Sequence, residues 1–335
     1  MGTPCFAVPT LESLLHNNYN VVAVVTQPDK PVGRHGSVLQ PPAVKQCALQ
    51  HGLPVLQPEK MSDAAFIEQL RAFDANLQVV VAFRILPEAV WAMPRYGTFN
   101  VHAALLPQYR GAAPINWAVI NGETMTGVTT FFLDHDIDTG RIIHQVPSPI
   151  ADTDTVGDVY DRLMLLGADL ILKTVDDIEA GNIAPVEQRS VLGGAATEEG
   201  LRPAPKLFKE NCEIRWSEHT VKSAYDFIRG LSPYPAAWTT LRTADGKETQ
   251  LKVFFAEKCK IEDSESDKKK QGLSPVNNQT AIIIQQGNFL VGLRDGYLRL
   301  TDIQLAGKRR MPASDFLRGA HLDNSLFVES PKEDE

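Results

Sequence analysis

Asn100 and His102 stand two residues apart at the end of a short apolar run, residues 98–102 (TFNVH). Side chains alternate across a strand, so both leave the same face. Neither type favours a strand interior, and ligands of open α/β sheets bind at the carboxyl ends of strands. A satisfied structural histidine is the competing reading of His102 alone. Residues 134–140 read DHDIDTG. Three carboxylates within five residues, Asp134, Asp136 and Asp138, repel one another unless solvated, paired or bound to a ligand. The spacing is not that of an EF-hand loop, although an acidic turn or a metal site stays open on these residues alone. Basic clusters occur at Lys30 with Arg34, at residues 268–270 (KKK), and at Lys308, Arg309 and Arg310. Each also reads as a solvated surface.

The elements that must position these residues follow from periodicity. Residues 21–26 (VVAVVT) and 77–83 (LQVVVAF) are continuous β-rich runs, as expected of buried strands. Residues 42–50 read as a helix, and Ser62 is the expected cap of another helix with an apolar stripe of Phe66, Ile67, Leu70 and Phe73. The strand 98–102 precedes a helix over about 113–121, closed by Gly122. Strands over 128–133 and 141–146 and a long helix over about 155–180 follow. Alternating strands and helices predict an α/β domain with a Rossmann-like, mostly parallel sheet covered by helices on both faces. After Pro185 the pattern changes. Residues 193–200 (GGAATEEG) are small and polar, as in a linker. Short strands are expected at 212–216, 238–242, 250–255, 281–286, 289–293 and 297–304, with one helix at 221–228, which suggests a small β-barrel or sandwich. The loop 262–271 (EDSESDKKKQ) is too charged to bury.

The 335 residues are enough for two domains, expected at 1–186 and 205–322, with a linker at 187–204 and a disordered tail at 323–335. Hydrophobic and charged fractions of 43% and 22% are those of an ordinary globular protein. No apolar run approaches the roughly 20 residues that cross a bilayer, so no membrane partner is expected. Cys5, Cys47, Cys212 and Cys259 form no C-x-x-C pair, and a reduced cytoplasmic setting is the economical reading. Net charge of −8 argues against a general nucleic-acid coat protein but leaves local basic patches free to bind a specific RNA. No G-x-G-x-x-G follows a strand in the first half, which disfavours a dinucleotide-dependent oxidoreductase.

Taken together, Asn100-x-His102, then Leu105-Leu106-Pro107, then Asp138 before Thr139-Gly140 resemble the folate-dependent formyltransferases. The resemblance implies transfer of a formyl group from 10-formyltetrahydrofolate to an amine, with Asn100, His102 and Asp138 as the catalytic trio. That division of labour is chemically sensible. Asn100 and an imidazolium His102 can donate to the tetrahedral oxyanion, while Asp138 holds His102 and helps relay the proton lost by the amine. No metal and no covalent enzyme intermediate is required. The resemblance also implies folate contacts at Phe83, Arg84, Ile85 and Leu86, at Leu105, Leu106 and Pro107, and at Asp134. Gly2-Thr3-Pro4, residues 27–34 (QPDKPVGR), 57–60 (QPEK), 110–116 (RGAAPIN), 204–206 (APK) and 231–238 (LSPYPAAW) resemble the branch whose acceptor is initiator methionyl-tRNA, used in translation initiation. That branch implies tRNA contacts at Lys30, Arg34, Lys206, Lys209, Lys308, Arg309 and Arg310. It also implies a small OB-like β-barrel as the second domain, a monomer, and no DNA partner.

Departures accompany the matches. His35–Leu39 (HGSVL) lacks the lysines usual after the Gly-Arg pair, and Ala104 replaces the usual Ser before Leu-Leu-Pro. The family places an apolar strand before Met-Gly-Thr-Pro, so the natural start is expected upstream of Met1, with unpaired neighbours and an open core face without that strand. Two other readings compete. The acceptor could be a sugar-nucleotide amine or glycinamide ribonucleotide, or the chain could be an RNA-binding protein whose transfer site is unused.

Overall fold

The computed structural model describes residues 1–32, 38–192, 200–259, 279–285, 287–320, 322 and 325–330. Arg34, the loop 262–271 and the linker residues 193–199 lie outside the described residues. Two units form. The first comprises Met1–Pro114, Met125–Pro149 and Val159–Pro205, and the second Ile115–Thr124, Ile150–Asp158 and Lys206–Glu335.

From the N-terminus run α1 (Val8–His16), β1 (Val24–Val25), the antiparallel pair β2 (Lys30–Val32) and β3 (Val38–Gln40), α2 (Ala43–Gln50) and β4 (Val55–Leu56). Then come α3 (Ala64–Arg71), β5 (Gln78–Val81), α4 (Glu88–Trp91), β6 (Thr98–His102), α5 (Pro114–Ile120), β7 (Met125–Phe132), β8 (Ile142–Pro149) and α6 (Val156–Glu179). The cap of α3 is Asp63 rather than the expected Ser62. Its carboxylate accepts the N–H groups of Ala65 at 2.8 Å and Phe66 at 3.3 Å, orphan donors that only the residue next to the first turn reaches. Phe66 and Leu70, four apart, bury on one face.

β5, β6, β7 and β8 form a sheet in that order. β5 and β6 are parallel, as are β1 and β4, whereas β7 and β8 run antiparallel. The parallel expectation therefore stops at β6. Only the loop 133–141 joins β7 to β8, too short for the crossover that a parallel pair needs. In register, Val80 lies beside Asn100 and Val81 beside Val101. Val80 packs in a cluster with Phe66, Leu70, Leu86 and Val90 of the α3 and α4 side, while Val101 and Val128 lie under Gly167 of α6. Helices thus cover both faces, and Asn100 and His102 share the α3–α4 face.

Main chain of Met1 and Gly2 links β1 to β5. Gly2 N–H donates to the Val25 carbonyl at 3.0 Å, Val81 N–H donates to Met1 at 2.9 Å, and the Met1 amine donates to Val79 at 2.6 Å. Alongside, residues 21–25 and 77–79 face a cavity of about 480 Å³, lined also by Leu11, Leu14 and Val175.

In the second unit, α7 (Val221–Leu231) precedes β9 (Ala237–Arg242), β10 (Glu248–Cys259), β11 (Gln279–Gln285), β12 (Asn288–Leu293), β13 (Gly296–Leu305), β14 (Met311–Pro312), α8 (Ala313–Leu317) and β15 (Leu326–Val328). The order is β10-β9-β15-β11-β12-β13-β14, all antiparallel, and β10 also pairs with β13. The sheet curls until its ladder returns on itself, around Trp216, Ile214, Leu251, Phe289 and Phe327. Residues 212–216 are not the expected strand. Two 3-10 turns, Glu210–Cys212 and Trp216–Glu218, bracket a single bridge from Glu213 to Trp238. Within the tail expected to be disordered, Leu326–Val328 form β15, while 323–324 and 331–335 lie outside the described residues. The buried Asp226–Arg229 ion pair ties α7 to residues 150–158, since Arg229 donates to the carbonyls of Ala151 at 3.2 Å and Asp154 at 2.9 Å. No helix among the described residues is long and apolar enough to cross a membrane.

Candidate active site

β6 ends on His102, which is 6% exposed. Its Nε2 lies 2.8 Å from the Tyr109 carbonyl. A carbonyl only accepts, so Nε2 carries the hydrogen and Nδ1 is left to face Asp138, 3.7 Å from Oδ2. On the same face, the Asn100 Oδ1 atom is buried with no hydrogen-bond partner among the described residues. A buried polar group left unsatisfied is costly, and a ligand, an ion or water can satisfy it. The Phe131 ring, across β7, stands edge-on to the imidazole at 6.4 Å.

Asp138 sits in the β7–β8 loop with φ +56°, a left-handed conformation that aspartate tolerates better than most residues. Its Oδ2 accepts the Gly111 N–H at 2.9 Å. Gly111 has φ +127°, and a Cβ there would lie 2.4 Å from the Ala204 carbonyl oxygen, so only glycine brings this N–H to the carboxylate. The trio expected from sequence is thereby assembled on one face of one strand and the facing loop.

The other sequence-derived residues separate into groups. After Ala82, at φ +46°, the main-chain N–H and C=O groups of Arg84, Ile85 and Leu86 make no hydrogen bond among the described residues. Ile85 is exposed, whereas Leu86 is buried in the α3–α4 cluster, so its side chain is core and only its backbone can face a ligand. The Arg84 guanidinium is held by the carbonyls of Pro58 and Glu59, and lies over Phe83. Leu106 is buried beside Phe131, its N–H donating to Thr129 Oγ1 at 3.1 Å; Pro107 is buried and Leu105 half-buried. Asp134 is exposed and its carboxylate accepts the His135 N–H at 2.7 Å.

Lys30 is exposed on β2. The preceding Asp29 is held by Gln57 and Lys45, whose hydrogen bonds keep its carboxyl below the usual range. Lys206 and Lys209 are exposed and stand over the rings of Phe208 and Trp238. Lys308 and Arg309 are exposed, but Arg310 is committed: it makes a forked ion pair with Asp302 and stacks over Phe254 at 4.2 Å. Sequence reasoning assigned no role to Tyr109, Gly111 or Gln188. Tyr109 and Gln188 contribute a carbonyl and a buried amide, which leave no signature in residue type, whereas Gly111 is marked by its glycine-only backbone conformation.

An α/β unit with a carboxyl-end amide, imidazole and carboxylate, followed by a curled antiparallel unit, defines a two-part group-transfer enzyme. Residues 1–175 match the formyl transferase family and residues 206–321 the formyl transferase C-terminal domain, and the chain belongs to this family. Proteins named methionyl-tRNA formyltransferase are similar over nearly their whole length. The one from Parabacteroides distasonis is 58% identical over 320 residues, 95% of this chain and 94% of that protein. The one from Bacteroides thetaiotaomicron is 52% identical over 324 residues, 97% and 95% of the two chains. Among solved structures, the sugar 3N-formyl transferase WlaRD, crystallised with dTDP and 5-N-formyl-THF, aligns with a TM-score of 0.61 at 18% identity, covering 92% of this chain and 97% of its own. HypX from Aquifex aeolicus, in complex with tetrahydrofolic acid, aligns with a TM-score of 0.53 at 18% identity over 80% of this chain and 43% of its own. At these identities the two structures speak for the fold alone.

Proposed function

We propose that this enzyme transfers the formyl group of 10-formyltetrahydrofolate to the amino group of methionine on initiator methionyl-tRNA. The products are N-formylmethionyl-tRNA for translation initiation and tetrahydrofolate. The unsatisfied Asn100 Oδ1, beside His102 and Asp138, is the observation that carries the transfer chemistry. High identity to enzymes of that name supports the acceptor.

In this reading the methionyl amine attacks the formyl carbon, and the carbonyl oxygen becomes an oxyanion. Asn100, whose amide can turn to present its NH₂, donates to that oxygen. His102 Nδ1 lies toward Asp138 and takes part in moving the amine's proton, which ends on N10 of the folate as the C–N10 bond breaks. Asp138 stabilises the imidazolium formed on the way. The unpaired backbone at 84–86 reads the edge of the pterin, with Phe83, Leu105, Leu106, Pro107 and Asp134 around it.

Residues 1–186, with Gln188 and 202–204 of the segment first read as a linker, serve as the catalytic domain, and 205–322 as an OB-like tRNA-binding domain. Lys30 and Arg34 in the first unit, and Lys206, Lys209, Lys308 and Arg309 in the second, contact tRNA phosphates; Arg310, already paired, contributes less. A monomeric, cytoplasmic enzyme fits this use. Labelled formyl should move from 10-formyltetrahydrofolate to methionyl initiator tRNA and not to amino sugar nucleotides or glycinamide ribonucleotide. Transfer to one of those small acceptors alone would overturn the tRNA reading, and binding of tRNA without transfer to any of them would leave a binding protein.

A further inference from the structure

We propose that Gln188 is a positioning residue for the reaction, acting through Asp138; this rests on the formyl-transfer reading. Gln188 opens the 3-10 helix Gln188–Leu192 and is 2% exposed. Its side-chain amide is saturated. Nε2 donates to the backbone carbonyl of Asp138 at 2.7 Å and to that of Gly140 at 2.9 Å. Oε1 accepts from Arg110 Nε at 3.0 Å and from a terminal guanidinium nitrogen at 2.7 Å.

The bonds close a circuit around the reacting groups. Tyr109 gives its carbonyl to His102, Gly111 gives its N–H to Asp138, and Arg110 between them grips Gln188, which holds the backbone of Asp138. A strap at 202–204 fastens the same segment: Tyr109 N–H donates to Arg202 at 2.7 Å, and Ala204 N–H donates to Arg110 at 2.8 Å. Asp138 is in a left-handed conformation that is uncommon outside glycine even though aspartate tolerates it, and its carboxylate stands 3.7 Å from His102, where small displacements matter. Misplacing a reacting group by about 1 Å can cost on the order of 10²-fold in rate. Gln188 lies beyond residue 175, where the match to the catalytic family ends, yet belongs to the catalytic unit.

A double-mutant cycle in single-turnover formylation tests this. Gln188→Ala, and Gln188→Met of similar volume, should lower the rate constant about 30- to 100-fold while the KM values for folate donor and tRNA change less than about threefold. Asp138→Ala alone should cost more, and adding Gln188→Ala to it should cost nothing further, because the group being positioned is gone. Gln188→Glu keeps the Arg110 contact but sets a carboxylate against two carbonyls, so it should be as slow as Gln188→Ala. Multiplicative losses in the Asp138→Ala background, or losses matched by a fall in the folded fraction, would reduce Gln188 to a structural residue and overturn the proposal. A parent inactive both as given and with the upstream strand restored would instead overturn the formyl-transfer reading. An active parent with unimpaired Gln188 variants would overturn this inference alone.

Discussion

His102→Ala is expected to lower formyl transfer by about 10³-fold or more, with little change in the KM for the folate donor. The size follows from how many tasks converge on one ring. Nε2–H is tied to the Tyr109 carbonyl, which fixes the imidazole plane and leaves Nδ1 turned toward Asp138. Alanine removes both the proton carrier and the link between Asp138 and the Asn100 face. General acid–base assistance alone is worth about 10²- to 10⁴-fold. Folding should suffer far less, because the main loss is one partner of the Tyr109 carbonyl, about 1–3 kcal/mol if water does not replace it. Single-turnover rates with labelled donor, alongside melting curves, separate the two effects. A rate within tenfold of the parent would remove His102 from the chemistry.

The trio was legible because it is carried by side chains with distinctive types and spacing. Asn100 and His102 share a strand face by parity alone, and β6 spans the expected residues, Thr98–His102. What holds the trio was not legible. Gly111 contributes an N–H, Tyr109 a carbonyl, and Gln188 an amide from 50 residues beyond Asp138. Backbone donors and long-range contacts are determined by the path of the chain, and a single sequence shows that path only indirectly. Leu86 and Arg310 illustrate the converse. Each carries a residue type suited to a ligand, yet burial in the α3–α4 cluster and pairing with Asp302 have already committed it.

Element type was read well where periodicity was strong, as in α6 and in the strands of the second unit. Direction was not. Nothing in the residues of β7 distinguishes an antiparallel neighbour of β6 from a parallel one; its buried, β-branched character suits both. Residues 212–216 fail for a different reason. Ile214 and Trp216 are buried, as alternating strand residues would be, but the chain turns through 3-10 geometry at both ends and makes only one bridge.

The tail shows most clearly how a short strand escapes detection, and it yields a large effect on stability. Phe327→Ala is expected to destabilise the second unit by about 3–5 kcal/mol, as for other buried phenylalanines. Its ring is 0% exposed and stacks at 5.5 Å on Trp216 and at 5.9 Å on Phe289. β15 is also the strand that connects β9 to β11, so the closed ladder depends on three residues near the chain's end. Glu329 reinforces the docking by accepting from Ser217 N–H at 2.8 Å and Ser217 Oγ at 2.7 Å. Against a typical domain stability of about 5–15 kcal/mol, the loss should move the denaturation midpoint of this unit well below that of the parent, and Phe327→Leu should lose less. Ending the chain after Leu322 should be worse still, because it bares the edges of β9 and β11 as well as removing the ring. Denaturant unfolding followed by tryptophan fluorescence reads Trp216 once Trp91, Trp117 and Trp238 are replaced by phenylalanine in parent and variant alike. If Phe327→Ala unfolds within about 1 kcal/mol of the parent, below the whole expected range, β15 does not dock on the sheet.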